Sequence, residues 1–176
     1  MNIEFCTDDN IVIQEVFDGL TVGITYSGGK VLKTPASFSD IYQFDDSKYT
    51  DLQDKQLLGV WFNKPVAARY NTELFGKWFV TDIFDTIQQH YLTQREILDF
   101  CIKHDLLCID IKYMGKFKSM AHCRHFVHQA AYGEHLKGIV VTEDGGTPQR
   151  RKMMFLSELY EDIGNGKIID ITKVRT

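Results

Sequence analysis

Proline is scarce in this chain, with three residues in 176. No Pro- or Ser-rich linker, internal repeat or low-complexity tract divides it, which argues against a string of domains. No apolar stretch approaches the roughly 18–20 residues that a bilayer-crossing helix requires. Met1 to Asn10 carries acidic residues and lacks the basic-then-apolar layout of an export signal. A cytoplasmic protein is expected, and its four cysteines, Cys6, Cys101, Cys108 and Cys123, are expected as free thiols. An excess of positive charge is missing too. The net charge is −4, so the whole-protein field does not attract nucleic acid and any phosphate contact needs a local basic patch.

What the chain does have is an ordinary globular balance of 44% apolar and 25% charged residues. Its length suits one domain spanning 1–176. The first third reads as strands. Ile11 to Phe17 is apolar and β-branched, and Asp18-Gly19 signals a turn. Leu20 to Tyr26 alternates with period two, Ser27-Gly28-Gly29 turns again, and Lys30 to Thr34 returns. Residues 37–54 have no clean period and read as loop with one helical turn. Leu57 to Phe62 and Leu74 to Phe84 read as buried strands.

Thr93 and Glu96 have capping-box spacing ahead of the helical face Ile97, Leu98, Cys101 and Ile102. Leu106 to Ile111 reads as a short strand. Ser119 is an N-cap for a helix running to Ala131 and ended by Gly133. Leu136 to Thr142, a turn at Asp144-Gly145-Gly146 and Arg151 to Phe155 read as a hairpin. Ser157 to Asp162 reads as helix and Lys167 to Thr172 as a last strand. Strands and helices mix without regular alternation, which predicts an α+β sandwich of antiparallel sheets with packed helices.

The order of these elements and their motifs resembles the adenylation domain of RNA ligases, the covalent nucleotidyltransferase (ATP-grasp-like ligase) fold. The motif-bearing region covers about 11–155, and no separate C-terminal ligase domain is expected. Val16-Phe17-Asp18-Gly19 stands where relatives carry K-x-D-G. Thr72-Glu73-Leu74-Phe75-Gly76 resembles their glutamate motif, and Trp78 to Asp85 their aromatic strand. Lys137-Gly138-Ile139-Val140 resembles E-G-[VI]-V, and Arg150-Arg151-Lys152 the closing basic strand. Pro35 and Ala36 fall where relatives often have arginine and glycine.

The resemblance implies a site for ATP or another nucleotide, or for an RNA end. It assigns Val16, Asp18, Gly19, Glu73, Trp78, Phe79, Lys137, Arg150 and Lys152 to it. Glu73 would bond a ribose hydroxyl, Trp78 or Phe79 would stack on the base, and Lys137, Arg150 and Lys152 would meet phosphate. The ligase reaction needs a lysine amine to attack the α-phosphate. Valine has no nucleophilic atom, and Lys137 reverses the charge of the metal-side carboxylate. The expectation is therefore a noncatalytic RNA-ligase-like domain that binds a nucleotide or RNA end, or serves as an interaction module. Its alternatives are a diverged ligase with a relocated lysine, Lys137 before Lys30 or Lys33, and a protein-interaction module with a closed pocket. Mg would be needed only by an active enzyme, and no other metal is expected.

Further constellations have plainer readings. His122 and His125 share a helical face, but no C-x-x-C accompanies them, and packed thiols with surface histidines describe the region better than zinc does. Cys101 and Cys123 lack an orienting partner for nucleophilic work. Lys112, Lys116, Lys118 and Arg124 form a local basic stretch that a solvated face would explain.

Overall fold

In the computed structural model, the described residues are 5–17, 19–27, 30–34, 52, 54–62, 71–132, 137–145 and 148–157. Among them, ten strands form two sheets. Strands β1 (Asn10–Val16), β8 (Ile111–Lys116), β9 (Gly138–Glu143) and β10 (Lys152–Leu156) make sheet A in the order β10-β9-β1-β8, all antiparallel. Strands β2 (Leu20–Ser27), β3 (Lys30–Thr34), β4 (Lys55–Trp61), β5 (Trp78–Asp85) and β6 (His90–Tyr91) make sheet B in the order β3-β2-β4-β5-β6. β7 (Leu107–Cys108) adds to β5 in parallel. This is the expected α+β arrangement.

The cores follow from strand parity, since alternate side chains point to opposite faces. On β1, Ile11 and Ile13 pack with Ile139 and Val141 of β9 against Cys123 and Phe126, which closes the outer face of sheet A under helix α2 (Met120–His125). Val22, Ile24, Leu57, Trp78 and Ile83 pack with Ile97 and Cys101 of helix α1 (Gln94–His104), which closes the outer face of sheet B. A third cluster, Phe17, Phe62, Leu74, Phe79 and Ile109, lies between the sheets.

Helix α1 begins with the capping box read from the sequence. Glu96 N donates to Thr93 Oγ1 at 3.2 Å, and Thr93 N donates to Glu96 Oε1 at 3.1 Å. Gln94 N adds a 2.8 Å bond to Asp144 Oδ1 from the β9–β10 turn, which ties the helix to sheet A. Ser119 likewise caps α2 through His122 N.

Three expectations change. The aromatic strand starts at Trp78 rather than Leu74. Thr72–Leu74 is a 3₁₀ turn, and Gly76 at φ +80° reverses the chain before β5. The strand expected over Leu106 to Ile111 splits into β7 and the longer β8, which joins the other sheet. β8 is an edge strand with no fully buried residue, so its sequence shows little apolar alternation. The second helix stops at His125 and continues as a 3₁₀ turn over Phe126–His128 rather than reaching Ala131. Lys112 Nζ takes Gln129 O and Glu15 takes Ala131 N, which holds that backbone away from a helical path. The readings over 37–51, the Gly28-Gly29 and Gly146 turn positions, Gly133, 158–162 and 167–172 lie outside the described residues.

Glycine is required where strands close on each other. A Cβ on Gly138 would run into Phe155 O and lie 2.9 Å from Leu156 Cα, because β10 crosses there. A Cβ on Gly19 would lie 2.6 Å from Trp61 O.

Candidate functional site

Of the residues that the motifs single out, Val16, Phe79, Arg150 and Lys152 lie on the facing surfaces of the two sheets. On β1 the even positions Val12, Gln14 and Val16 point toward sheet B, the parity opposite to the Ile11/Ile13 core. Gln14 Nε2 donates 2.9 Å to Ile109 O beneath them. Val16 pairs with Gly138, the β9 glycine next to Lys137. Lys137 is half-buried at the start of β9, and its carbonyl accepts from Ser157 N at 2.8 Å. Asp18 lies outside the described residues.

Arg150 and Lys152 come from the start of β10 and meet Asp82 of β5. Arg150 Nη1 is 2.6 Å from Asp82 Oδ1, and Lys152 Nζ is 2.6 Å from Oδ2. Asp82 and Arg150 are 3% and 2% exposed and Lys152 is 40% exposed, so the first pair is dry and the second is wet on one side. Burial alone would raise the Asp82 carboxyl. The charges of Lys152 and Arg150, with hydrogen bonds from Lys152 and Thr81, outweigh it and hold the group below its ordinary value. Arg150 Nε donates to Glu143 O, while its Nη2 is buried with no hydrogen-bond partner.

The aromatic strand divides its two rings between faces. Trp78 points to the α1 side, where its Nε1 donates to Val22 O at 3.3 Å and its ring covers Gly59. Phe79 points between the sheets. Phe17, Phe62 and Tyr132 surround it edge-on, with centroids 5.4, 5.4 and 5.9 Å from its own. Of the two, Phe79 stands on the face between the sheets, within a ring cluster the sequence did not reveal. Glu73 is exposed on its 3₁₀ turn, and Gly19 is exposed at the start of β2.

Sequence reasoning passed over Glu15, Asp82 and Tyr132. Glu15 is 1% exposed on the α2 side of β1. Its Oε2 accepts from Ala131 N at 3.2 Å and lies 3.9 Å from Lys112 Nζ, while Oε1 has no partner. Burial pushes its carboxyl up to about 7, against the lowering effects of Ala131 N–H and Lys112. Burial pushes Lys112 down in the same way. The signal for both acids was there to read: a carboxylate inside an apolar run, at Glu15 in Ile11–Phe17 and at Asp82 in Trp78–Phe84.

His122 lies edge-on to Tyr113 and Phe126, 4.8 and 5.4 Å between centroids. Among the described residues, no three His, Cys, Asp or Glu side chains gather as a metal site would require. The cysteines are free thiols. A hydrogen bond with Cys108, then burial, pushes the Cys101 thiol up, and burial does the same to Cys123, so neither is primed as a nucleophile.

This architecture is the nucleotidyltransferase fold of ATP-dependent RNA ligases. The Naegleria gruberi RNA ligase with PPi superposes with a TM-score of 0.69 at 11% identity, over 92% of this chain and 53% of that one. A variant of the same ligase with ATP and Mn gives 0.67 at 12%, over 92% and 53%. Form 2 of an archaeal ATP-dependent RNA ligase gives 0.63 at 14%, over 88% and 44%. Identities this low establish the fold alone. The chain spans about half the length of the ligases it matches. No protein-family model and no curated protein matches the sequence. Among the described residues, no helix is long and apolar enough to cross a membrane.

Proposed function

We propose that this domain is a noncatalytic RNA-ligase-like module that holds a nucleotide or an RNA end between its two sheets. The observation that carries the reading is the register of β1 on β9. It puts Val16, which the motif resemblance sets at the lysine position and which has no nucleophilic atom, opposite Gly138. The cations of the closing strand are present but bound to Asp82. Arg150 retains one buried donor without a partner, a feature suited to a phosphate or ribose oxygen. The residues that would hold the ligand are Glu73, Phe79, Lys137, Arg150 and Lys152, with Val16 and Gly19 lining the floor. Trp78 supports the strand from the other side. ATP fits this set through its phosphates. Mg fits it poorly, since Lys137 stands where a metal-side carboxylate would be.

One observation favours a second reading, a diverged ligase with Lys137 as the relocated nucleophile. Lys137 is one residue from the glycine that Val16 faces. Incubation with radiolabelled ATP or GTP and divalent metal separates the two. A thermal shift without a denaturation-resistant adduct supports the binding module. An adduct lost in Lys137→Ala supports the relocated lysine. Silence in both assays leaves a closed pocket, and the ring cluster around Phe79 would then be the core of a protein-interaction module.

A further inference from the structure

We infer that the outer face of sheet A, along β8 and α2, docks the phosphate backbone of a single-stranded RNA. From Ile111 to Gly133 the chain holds Lys112, Lys116, Lys118, Arg124 and three histidines, and no Asp or Glu, within a protein of net charge −4. The fold gathers this stretch instead of dispersing it. β8 is an edge strand of sheet A, and α2 lies across the adjoining face.

Lys112 turns inward toward Glu15 and takes no part. Lys118, Arg124 and His125 are exposed. Lys116 pairs with Asn10 on the even parity of β1, so it points to the opposite face of sheet A, donates to Asp8 O and takes no part. Lys118 Nζ stands 5.7 Å over the Tyr113 ring, and the Arg124 guanidinium 5.3 Å over Phe155. Burial, then the charges of Lys118 and His125, holds the His122 imidazole below its ordinary value. Asp9, in the N-terminal segment, is engaged by Arg151 and Cys6 N.

Like charges gathered without a carboxylate in their own stretch repel until an anion arrives, and a chain of phosphates is the regular anion that spans several of them. The half-buried rings of Tyr113, His122 and Phe126 lie among the cations. Rings beside cations suit a strand with stacking bases, which an acidic peptide does not offer.

This surface is separate from the inter-sheet site, since it lies on the opposite face of sheet A. Anisotropy titration of a labelled oligouridylate at low and at physiological salt tests it. Binding is expected at low salt, with a log–log salt slope of roughly −1.4 if Lys118 and Arg124 each meet a phosphate. The double variant Lys118→Glu, Arg124→Glu is expected to bind at least about tenfold more weakly with a shallower slope. Its melting temperature should be unchanged, because both side chains are exposed. Arg95→Glu on exposed α1 should bind like the parent. No binding at low salt overturns the inference, as does equal binding by the double variant or equal displacement by polyglutamate. A nucleotide-induced thermal shift in the double variant is read separately, so failure here is distinct from failure of the inter-sheet reading.

Discussion

Arg150 and Asp82 join the two sheets through a 2.6 Å bond between side chains that are almost wholly buried and 68 positions apart in sequence. A buried pair of this kind costs desolvation on both partners, so its net worth is small while the cost of breaking it is large. Asp82→Ala would strand a guanidinium that is 2% exposed, and a loss of roughly 3–5 kcal/mol in urea unfolding is expected. Lys152→Ala, at a side chain 40% exposed, should cost no more than about 1 kcal/mol. Equal losses for the two would show that the pair is not dry.

Acid should find the same contact. The Asp82 carboxyl titrates below its ordinary 3.8 in the folded state. Its contribution is therefore complete above that value and is lost as pH falls through the lower, folded one. The gap in melting temperature between the parent and Asp82→Asn should stay constant down to about pH 4 and close below it. A gap that closed near neutrality would contradict this.

Glu15 has the opposite sign. Its carboxyl is raised from 4.5 to about 7, so the folded state holds a proton that the unfolded chain has released between those values. Stability should fall as pH rises across this window and level off above it. Glu15→Gln keeps an acceptor for Ala131 N–H and removes the titration. It should flatten the curve and be the more stable protein at pH 8, by an amount on the order of 3 kcal/mol at most. A parent whose stability is level from pH 4.5 to 7 would refute the assignment.

Gly138→Ala tests the crossing of β9 and β10. The added methyl meets Phe155 O and Leu156 Cα, both backbone atoms that cannot swing aside. A loss of about 1–3 kcal/mol or more is expected, read as a drop of several degrees in melting temperature. The Val16 side of the inter-sheet site should be disturbed with it, since Gly138 is the partner of Val16.

Thr93→Ala removes the hydroxyl that receives Glu96 N. About 1 kcal/mol should be lost. Gln94 N keeps its bond to Asp144, so α1 should remain helical by circular dichroism while the midpoint of unfolding moves.

Features that depend on neighbours in the chain were open to reading from the residues alone. The period-two alternation of Leu20 to Tyr26, the Thr93–Glu96 box and the Ser119 cap all act within a few residues, and each stands as expected. The α+β order was equally plain. The pairing of Asp82 with Arg150, the enclosure of Phe79 by Phe17, Phe62 and Tyr132, and the burial of Glu15 beside Lys112 depend on which distant strands meet. The edge strand β8 belongs with them, because an edge needs little apolar alternation and declares itself only through its partner β1. Local hydrogen bonding and side-chain parity are written in adjacent residues. Sheet-to-sheet contact is decided by the folded chain as a whole, because the charges and rings that meet there have no common neighbourhood until the sheets close.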